Sequence, residues 1–217
     1  MIPVKVCGIT AVEDALACVE YGAAALGFVF APSKRRISPE RARMIRQSLP
    51  TDVVTVGVFV NEAAETVREI IRYCRLDLVQ FHGDESPEYC RKFQGMAIKA
   101  FRAGVDFPGA PWEEAGLRAV LVDGATAGSG QTYEWELFRN YRHLPYPKIL
   151  AGGLNPDNLL EAIRRTEPDG VDVSSGVERE PGRKDPDKVK RFIAIASGVD
   201  RRPAGSGLAG KSIFEKR

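Results

Sequence analysis

The sequence predicts an α/β fold, a single (β/α)8 TIM barrel, on three observations. Eight short apolar runs recur along the chain, segments with helix-start signals lie between them, and most runs end on a polar or glycine-rich group. Runs that stay apolar at successive positions are strands covered on both faces. Eight regular strand–helix units within 217 residues fit closure better than an open doubly wound sheet.

The strands are expected at Val4–Cys7, Ala25–Phe30, Val53–Phe59, Leu78–Phe81, Ala97–Ala100, Ala119–Val122, Lys148–Leu150 and Gly170–Val173. Thr10-Ala11-Val12-Glu13 has capping-box spacing and predicts the start of the first helix. Ser38-Pro39-Glu40 supplies an N-cap followed by proline at the first helical position. Asn61-Glu62 opens the third helix and Asn155-Pro156-Asp157 the seventh. The fifth segment, Gly104 to Ala115, is the weakest helix because prolines and glycines interrupt it. The eighth starts near Asp185-Pro186 and runs to about Ala196.

With 44% apolar and 28% charged residues, the composition is that of an ordinary globular protein. No apolar run reaches transmembrane length, and Met1-Ile2-Pro3 runs straight into the first strand without a signal peptide. Cys7, Cys18, Cys74 and Cys90 show no CxxC and no metal-like spacing, so free thiols in the cytoplasm are expected. The last 21 residues hold five cations against two carboxylates, a net +3, so the preceding 196 carry −1 of the total +2. The overall charge is therefore poor evidence for a basic nucleic-acid face. The division expected is a catalytic barrel over residues 1–196 and a flexible tail over 197–217, with little weight given to docking by Ile213-Phe214.

In a barrel, chemistry sits where the strands end. There the sequence places Cys7, the basic stretch Ser33-Lys34-Arg35-Arg36, Gln80 with His82, Asp123, Gly152-Gly153, and Ser174-Ser175-Gly176. Gly152 and Gly153 let backbone N–H groups approach a ligand, and Ser175-Gly176 begins a short extra helix; together they read as a phosphate site. Gly128 and Gly130 either close that pocket from the side or belong to a mobile loop. Cys7 and Asp123 face each other across the mouth, where a thiol and a carboxyl can divide proton transfers; the bland alternatives are a core thiol and a loop cap. His82 either contacts substrate or only positions its loop. The other histidine, His143, lies away from any strand end, which argues against a Cys–His hydrolase.

The strand-end motifs resemble those of the phosphoribosylanthranilate isomerases of tryptophan biosynthesis. The carriers are Lys5-Val6-Cys7-Gly8-Ile9-Thr10, Gly27-Phe28-Val29-Phe30, Val79-Gln80-Phe81-His82-Gly83, Ala151-Gly152-Gly153-Leu154-Asn155-Pro156 and Val171-Asp172-Val173-Ser174-Ser175-Gly176-Val177-Glu178, followed by Pro181-Gly182-Arg183-Lys184-Asp185. The resemblance implies an Amadori rearrangement of N-(5-phosphoribosyl)anthranilate without metal or cofactor. It implies Cys7 as general base, Asp123 as general acid, Arg35 on the anthranilate carboxylate with Arg36 as the neighbouring option, and Asp172 among the substrate-binding residues. A lowered thiol pKa would serve Cys7, with Lys5 or Arg35 contributing. Ala127 stands where the family has a glycine in loop 6, and Phe81 where leucine is common. The implied partner is a small phosphoribosyl substrate, with no nucleic acid and no membrane, for a monomer or homodimer. The rival readings are a sister ribosyl-phosphate isomerase of histidine synthesis, which prefers aspartate at the place of Cys7, and a non-catalytic phosphate-binding barrel.

Overall fold

The computed structural model of the chain describes residues 1–104, 109–124, 135–199 and 213–216. The strands are β1 (Val4–Cys7), β2 (Ala25–Val29), β3 (Val54–Phe59), β4 (Leu78–Phe81), β5 (Ala97–Arg102), β6 (Ala119–Asp123), β7 (Lys148–Leu150) and β8 (Gly170–Val173). They are parallel, pair in chain order, and close through a β8–β1 contact. Around them lie α1 (Val12–Glu20), α2 (Pro39–Ser48), α3 (Ala64–Cys74), α4 (Pro87–Arg91), α5 (Ala110–Glu113), α6 (Leu159–Thr166) and α7 (Pro186–Ser197). The sixth unit carries a 3₁₀ segment, Trp135–Tyr141, where an α-helix was expected. After β8 a 3₁₀ turn, Ser175–Val177, leads into a small antiparallel hairpin, β9 (Glu178–Glu180) and β10 (Arg183–Lys184), that the sequence reading did not anticipate.

Pleat alternation sorts each strand into two cores. Leu26 and Phe28, Val79 and Phe81, Val120 and Val122, and Val171 and Val173 face outward against helix residues such as Ile45, Val67, Ile163 and Phe192. Val54 and Val56, Leu78, Ile98, Leu121 and Ile149 fill the barrel itself. The same parity turns Lys5 and Cys7 of β1, Gln80 of β4, Asp123 of β6 and Asp172 of β8 inward. Apolar residues thus pack the lower barrel while polar ones end up toward the carboxyl-terminal mouth.

Three expected helix starts are corrected. The Thr10 capping box does not form: Ala11 is the N-cap, and Thr10 Oγ1 donates instead to Gly182 O at 2.5 Å. The third helix begins after Ala63, because Asn61 takes a left-handed conformation (φ 53°) and ties its loop to the next by accepting from Asp84 N. The seventh begins at Leu159, since the Asn155 side chain accepts from Asp157 N and Asn158 N and holds a turn first. Ser38 and Asp185 cap their helices as expected.

The end of the chain also departs from expectation. Ile213 and Phe214, 5% and 7% exposed, join the core inside the barrel. Arg118 Nε donates to Ile213 O at 2.9 Å and Nη2 to Glu215 O at 3.1 Å. Lys216 Nζ bonds Thr51 O and pairs with Asp77 at 3.5 Å. These partners lie just before β3, β4 and β6, so the segment covers the floor, opposite the mouth. An apolar pair after a long Gly- and Pro-bearing stretch gives no periodic signal, yet an open barrel floor is apolar surface that favours being covered. Phe214→Ala is expected to lower unfolding free energy by roughly 3 kcal/mol while leaving kcat within a few-fold. Urea unfolding measures this, and a midpoint equal to wild type would show that Phe214 is not packed.

Candidate active site

Cys7 ends β1. Gly27 on β2 leaves room beside it: a Cβ there would lie 2.8 Å from the Cys7 Sγ. Two residues below, on the same face, Lys5 is fully buried and donates from Nζ to Asp172 Oδ1 at 2.8 Å. Lys5 and Asp172 are opposite one another in the β1–β8 register, so barrel closure itself forms the ion pair. Burial opposes the charge on Lys5, but Asp172 and Cys7 outweigh it and hold the ammonium above its ordinary pKa. The Cys7 thiol is pushed up by burial, with Lys5 and Lys184 pulling it down and Asp172 pushing it further up. The lowered value that would serve a base is not what the environment gives: the two lysines do not overcome desolvation.

Asp123 ends β6, three strand steps from β1 around the barrel. Its carbonyl accepts from Ala103 N at 2.7 Å, which fixes the backbone. Its Oδ2 lies 3.2 Å from His82 Nε2. His82 Nδ1 faces the Gln80 amide nitrogen at 3.0 Å. With that amide as donor, Nδ1 accepts, and the ring proton on Nε2 is donated to Asp123. His82 thus orients the carboxyl. Asp172 is within electrostatic reach of both Asp123 and His82, which links the two sides of the mouth.

Arg35 crosses the end of β1 over Gly8, where a Cβ would come 2.6 Å from its Cδ, so only glycine leaves room there. Its Nε and Nη2 donate to Glu178 Oε1 and Oε2 at 2.8 and 2.7 Å. Arg36 turns away and lines an outer groove with Phe30, Glu62 and Ile70. On the other side of the mouth, Gly152 and Gly153 take φ values of 91° and 64°. Gly176 abuts loop 7 so closely that a Cβ would sit 1.9 Å from Leu154 O, so loops 7 and 8 form one unit. Ser175 opens the 3₁₀ turn beside it, and Ser174 Oγ donates to Cys7 O at 3.2 Å. Gly128 and Gly130 lie outside the described residues.

The structure therefore gathers Cys7, Asp172 and Arg35 on one side, Asp123 with His82 on another, and Gly152, Gly153, Ser175 and Gly176 in adjoining loops. Sequence reasoning missed Glu178, Lys184 and the pairing of Lys5 with Asp172. Lys5 is legible in retrospect as a charge at an inward strand position. Glu178 and Lys184 read as solvated loop charges until the Pro181-Gly182 turn is recognised as a hairpin.

A family model described as N-(5'-phosphoribosyl)anthranilate (PRA) isomerase matches residues 4–195. The isomerase of Trichlorobacter lovleyi is 50% identical over 201 residues, covering 90% of this chain and 98% of that protein. That of Thermotoga petrophila is 47% identical over 205 residues, covering 92% and 100%. The solved isomerase from Thermus thermophilus superposes with a TM-score of 0.82 at 40% identity, covering 90% and 98% of the two chains. A second solved isomerase, in complex with reduced 1-(O-carboxyphenylamino)-1-deoxyribulose 5-phosphate, gives 0.79 at 45% identity, covering 92% and 100%. A barrel whose strand ends carry Cys7 and Asp123, matched over nearly its whole length, belongs to the N-(5'-phosphoribosyl)anthranilate isomerase family.

Proposed function

We propose that this isomerase runs its Amadori rearrangement with Cys7 as general base and Asp123 as general acid. Protonated Asp123 donates to the furanose ring oxygen, and the ring opens to a Schiff base. Cys7, as thiolate, removes the proton from C2 of the sugar, and the resulting enolamine tautomerises to the ketone. Arg35 holds the anthranilate carboxylate, and backbone groups of Gly152, Gly153, Ser175 and Gly176 hold the phosphate. Asp172 faces the sugar from between the two catalytic groups, and His82 orients Asp123. The observation that carries this reading is the inward placement of Cys7 and Asp123 at the ends of two strands on different sides of one mouth. A relative from Thermotoga maritima is described as dimeric, and a monomer or homodimer is the assembly proposed for this chain.

Cys7→Ser is expected to abolish turnover with the fold retained, because a hydroxyl is too weak an acid to supply the base at neutral pH. Asp123→Asn is expected to cost about 10²-fold or more in kcat. Steady-state kinetics decide both: near-wild-type kcat in the serine variant places the base elsewhere, and a pure KM effect makes Asp123 a binding group.

Arg35→Ala is expected to raise KM with a smaller effect on kcat, since the carboxylate contact is present in ground and transition states alike. Arg36→Ala is expected to do little, because its side chain lines the outer groove. The reverse ranking would move the carboxylate contact to Arg36.

The pH profile has a definite sign. A base acts deprotonated, and burial raises the Cys7 pKa in the free enzyme. So the ionised fraction of Cys7 is expected to climb with pH on a limb lying above the ordinary thiol value, read as the rate of Cys7 alkylation against pH. A limb below the ordinary value would show that burial does not set the thiol.

A further inference from the structure

The fork between Arg35 and Glu178 uses only one edge of the guanidinium. Two of five N–H donors, on Nε and Nη2, are committed to Glu178. The end bearing Nη1 and the second Nη2 hydrogen lies outside that fork, and it carries the pair of parallel donors that suits a second carboxylate. Glu178 is itself held from behind. Its Oε1 accepts from Lys184 Nζ at 2.9 Å and from Gly182 N at 3.3 Å. Lys184 Nζ donates on to Ser174 O at 3.1 Å, and Ser174 Oγ bonds the carbonyl of Cys7.

Glu178 and Lys184 are 8% and 2% exposed, at the two ends of a hairpin that runs only from Glu178 to Lys184. Burying an ion pair there gives no stability that an apolar pair of equal volume would not give as well. The charges count differently for a ligand. Arg35 and Lys184 against Glu178 leave one positive charge, whereas Lys5 and Asp172 cancel.

We propose that Glu178 and Lys184 are positioning residues of the isomerisation. Glu178 aims the free end of Arg35 at the substrate's carboxylate, and Lys184 neutralises Glu178 so that the charge of Arg35 is left for the ligand. The inference rests on the reading that Arg35 binds that carboxylate and that Cys7 is the base. The charged groups around Cys7 are Lys5 on β1, Asp172 on β8, Arg35 after β2, and Lys184 with its partner Glu178 on the hairpin. Removing Glu178 or Lys184 therefore changes the field at the thiol in opposite senses. Loss of the carboxylate favours the thiolate, and loss of the ammonium disfavours it.

The test uses the full chain with Glu178→Gln, Glu178→Asp and Lys184→Met. Glu178→Gln keeps the size and loses the charge; KM is expected to rise about 10-fold with kcat changing less. Glu178→Asp keeps the charge and shortens the arm, so KM rises while the Cys7 titration stays at wild type. Alkylation of Cys7 by iodoacetamide, followed against pH by peptide mass analysis, reads the thiol without turnover. Cys18, Cys74 and Cys90 are held back by pKa values pushed up to about 12, 11 and 12 by burial. The Cys7 limb is expected to move down by roughly half a unit to one unit in Glu178→Gln and up by a similar amount in Lys184→Met. Shifts of the same sign in both, or wild-type KM in both Glu178 variants, overturn the proposal. Arg35→Ala separates the two levels. Unchanged KM there fails the carboxylate reading itself, whereas raised KM there with unchanged Glu178 variants fails only the positioning role.

Discussion

The site depends on how the barrel closes. Joining β8 to β1 sets Lys5 opposite Asp172, two opposite charges buried in the barrel wall. Removing one partner of such a pair strands the other in low dielectric, at a cost of about 3–5 kcal/mol. A slip of one residue between β8 and β1 would turn every side chain of one strand to the other face, so the pair and the pleat enforce one register together. That register places Cys7 at the rim, two residues above Lys5 and on the same face. The thiol then meets Lys5 and Lys184 on one hand and Asp172 on the other, and burial decides the balance.

The two ends of the barrel divide their tasks by chemistry. At the floor, Ile213 and Phe214 extend the apolar core, and backbone carbonyls of the same segment accept from Arg118. At the mouth, the loops are tied by charges. Lys99, 2% exposed, donates to Gly83 O at 2.6 Å and Glu85 Oε2 at 3.0 Å, while Glu85 accepts from Asn61 N and Gly83 N. Loops 3 and 4 thereby move as one, as loops 7 and 8 do through Gly176 and Leu154. Polar ties suit a rim that must hold polar groups facing a cavity, because the buried Lys99 and Glu85 satisfy one another while the ring of side chains stays open to a ligand.

Much of this was legible before any coordinates. β1, β4, β7 and β8 fall on the expected residues, because strands buried on both faces write short, mostly apolar runs. Cys7 and Asp123 were legible because they terminate such runs. What escaped was set by partners distant in sequence. Thr10 has the local spacing of a cap, yet the carbonyl of Gly182 takes its hydroxyl. Asn61 looks like a helix opener, yet Asp84 and Glu85 recruit it to a loop-to-loop tie. Lys5 and Asp172 are 167 residues apart, and only closure makes them neighbours.

The four cysteines show how far environment, rather than residue type, decides chemistry. Cys18 and Cys90 lie on the buried faces of α1 and α4, and burial pushes their thiols up to about 12. Cys74 sits at the end of α3, its thiol bonded to Pro39 O at 3.3 Å and pushed up to about 11. All three behave as small apolar side chains between helix and sheet. Cys7 is buried as well, but it is the thiol that stands on the inner face, with Lys5 below it and the Arg35–Glu178–Lys184 chain beside it. A strand position, a pleat parity and a closed register suffice to separate a packing cysteine from one that stands among charged groups at the mouth.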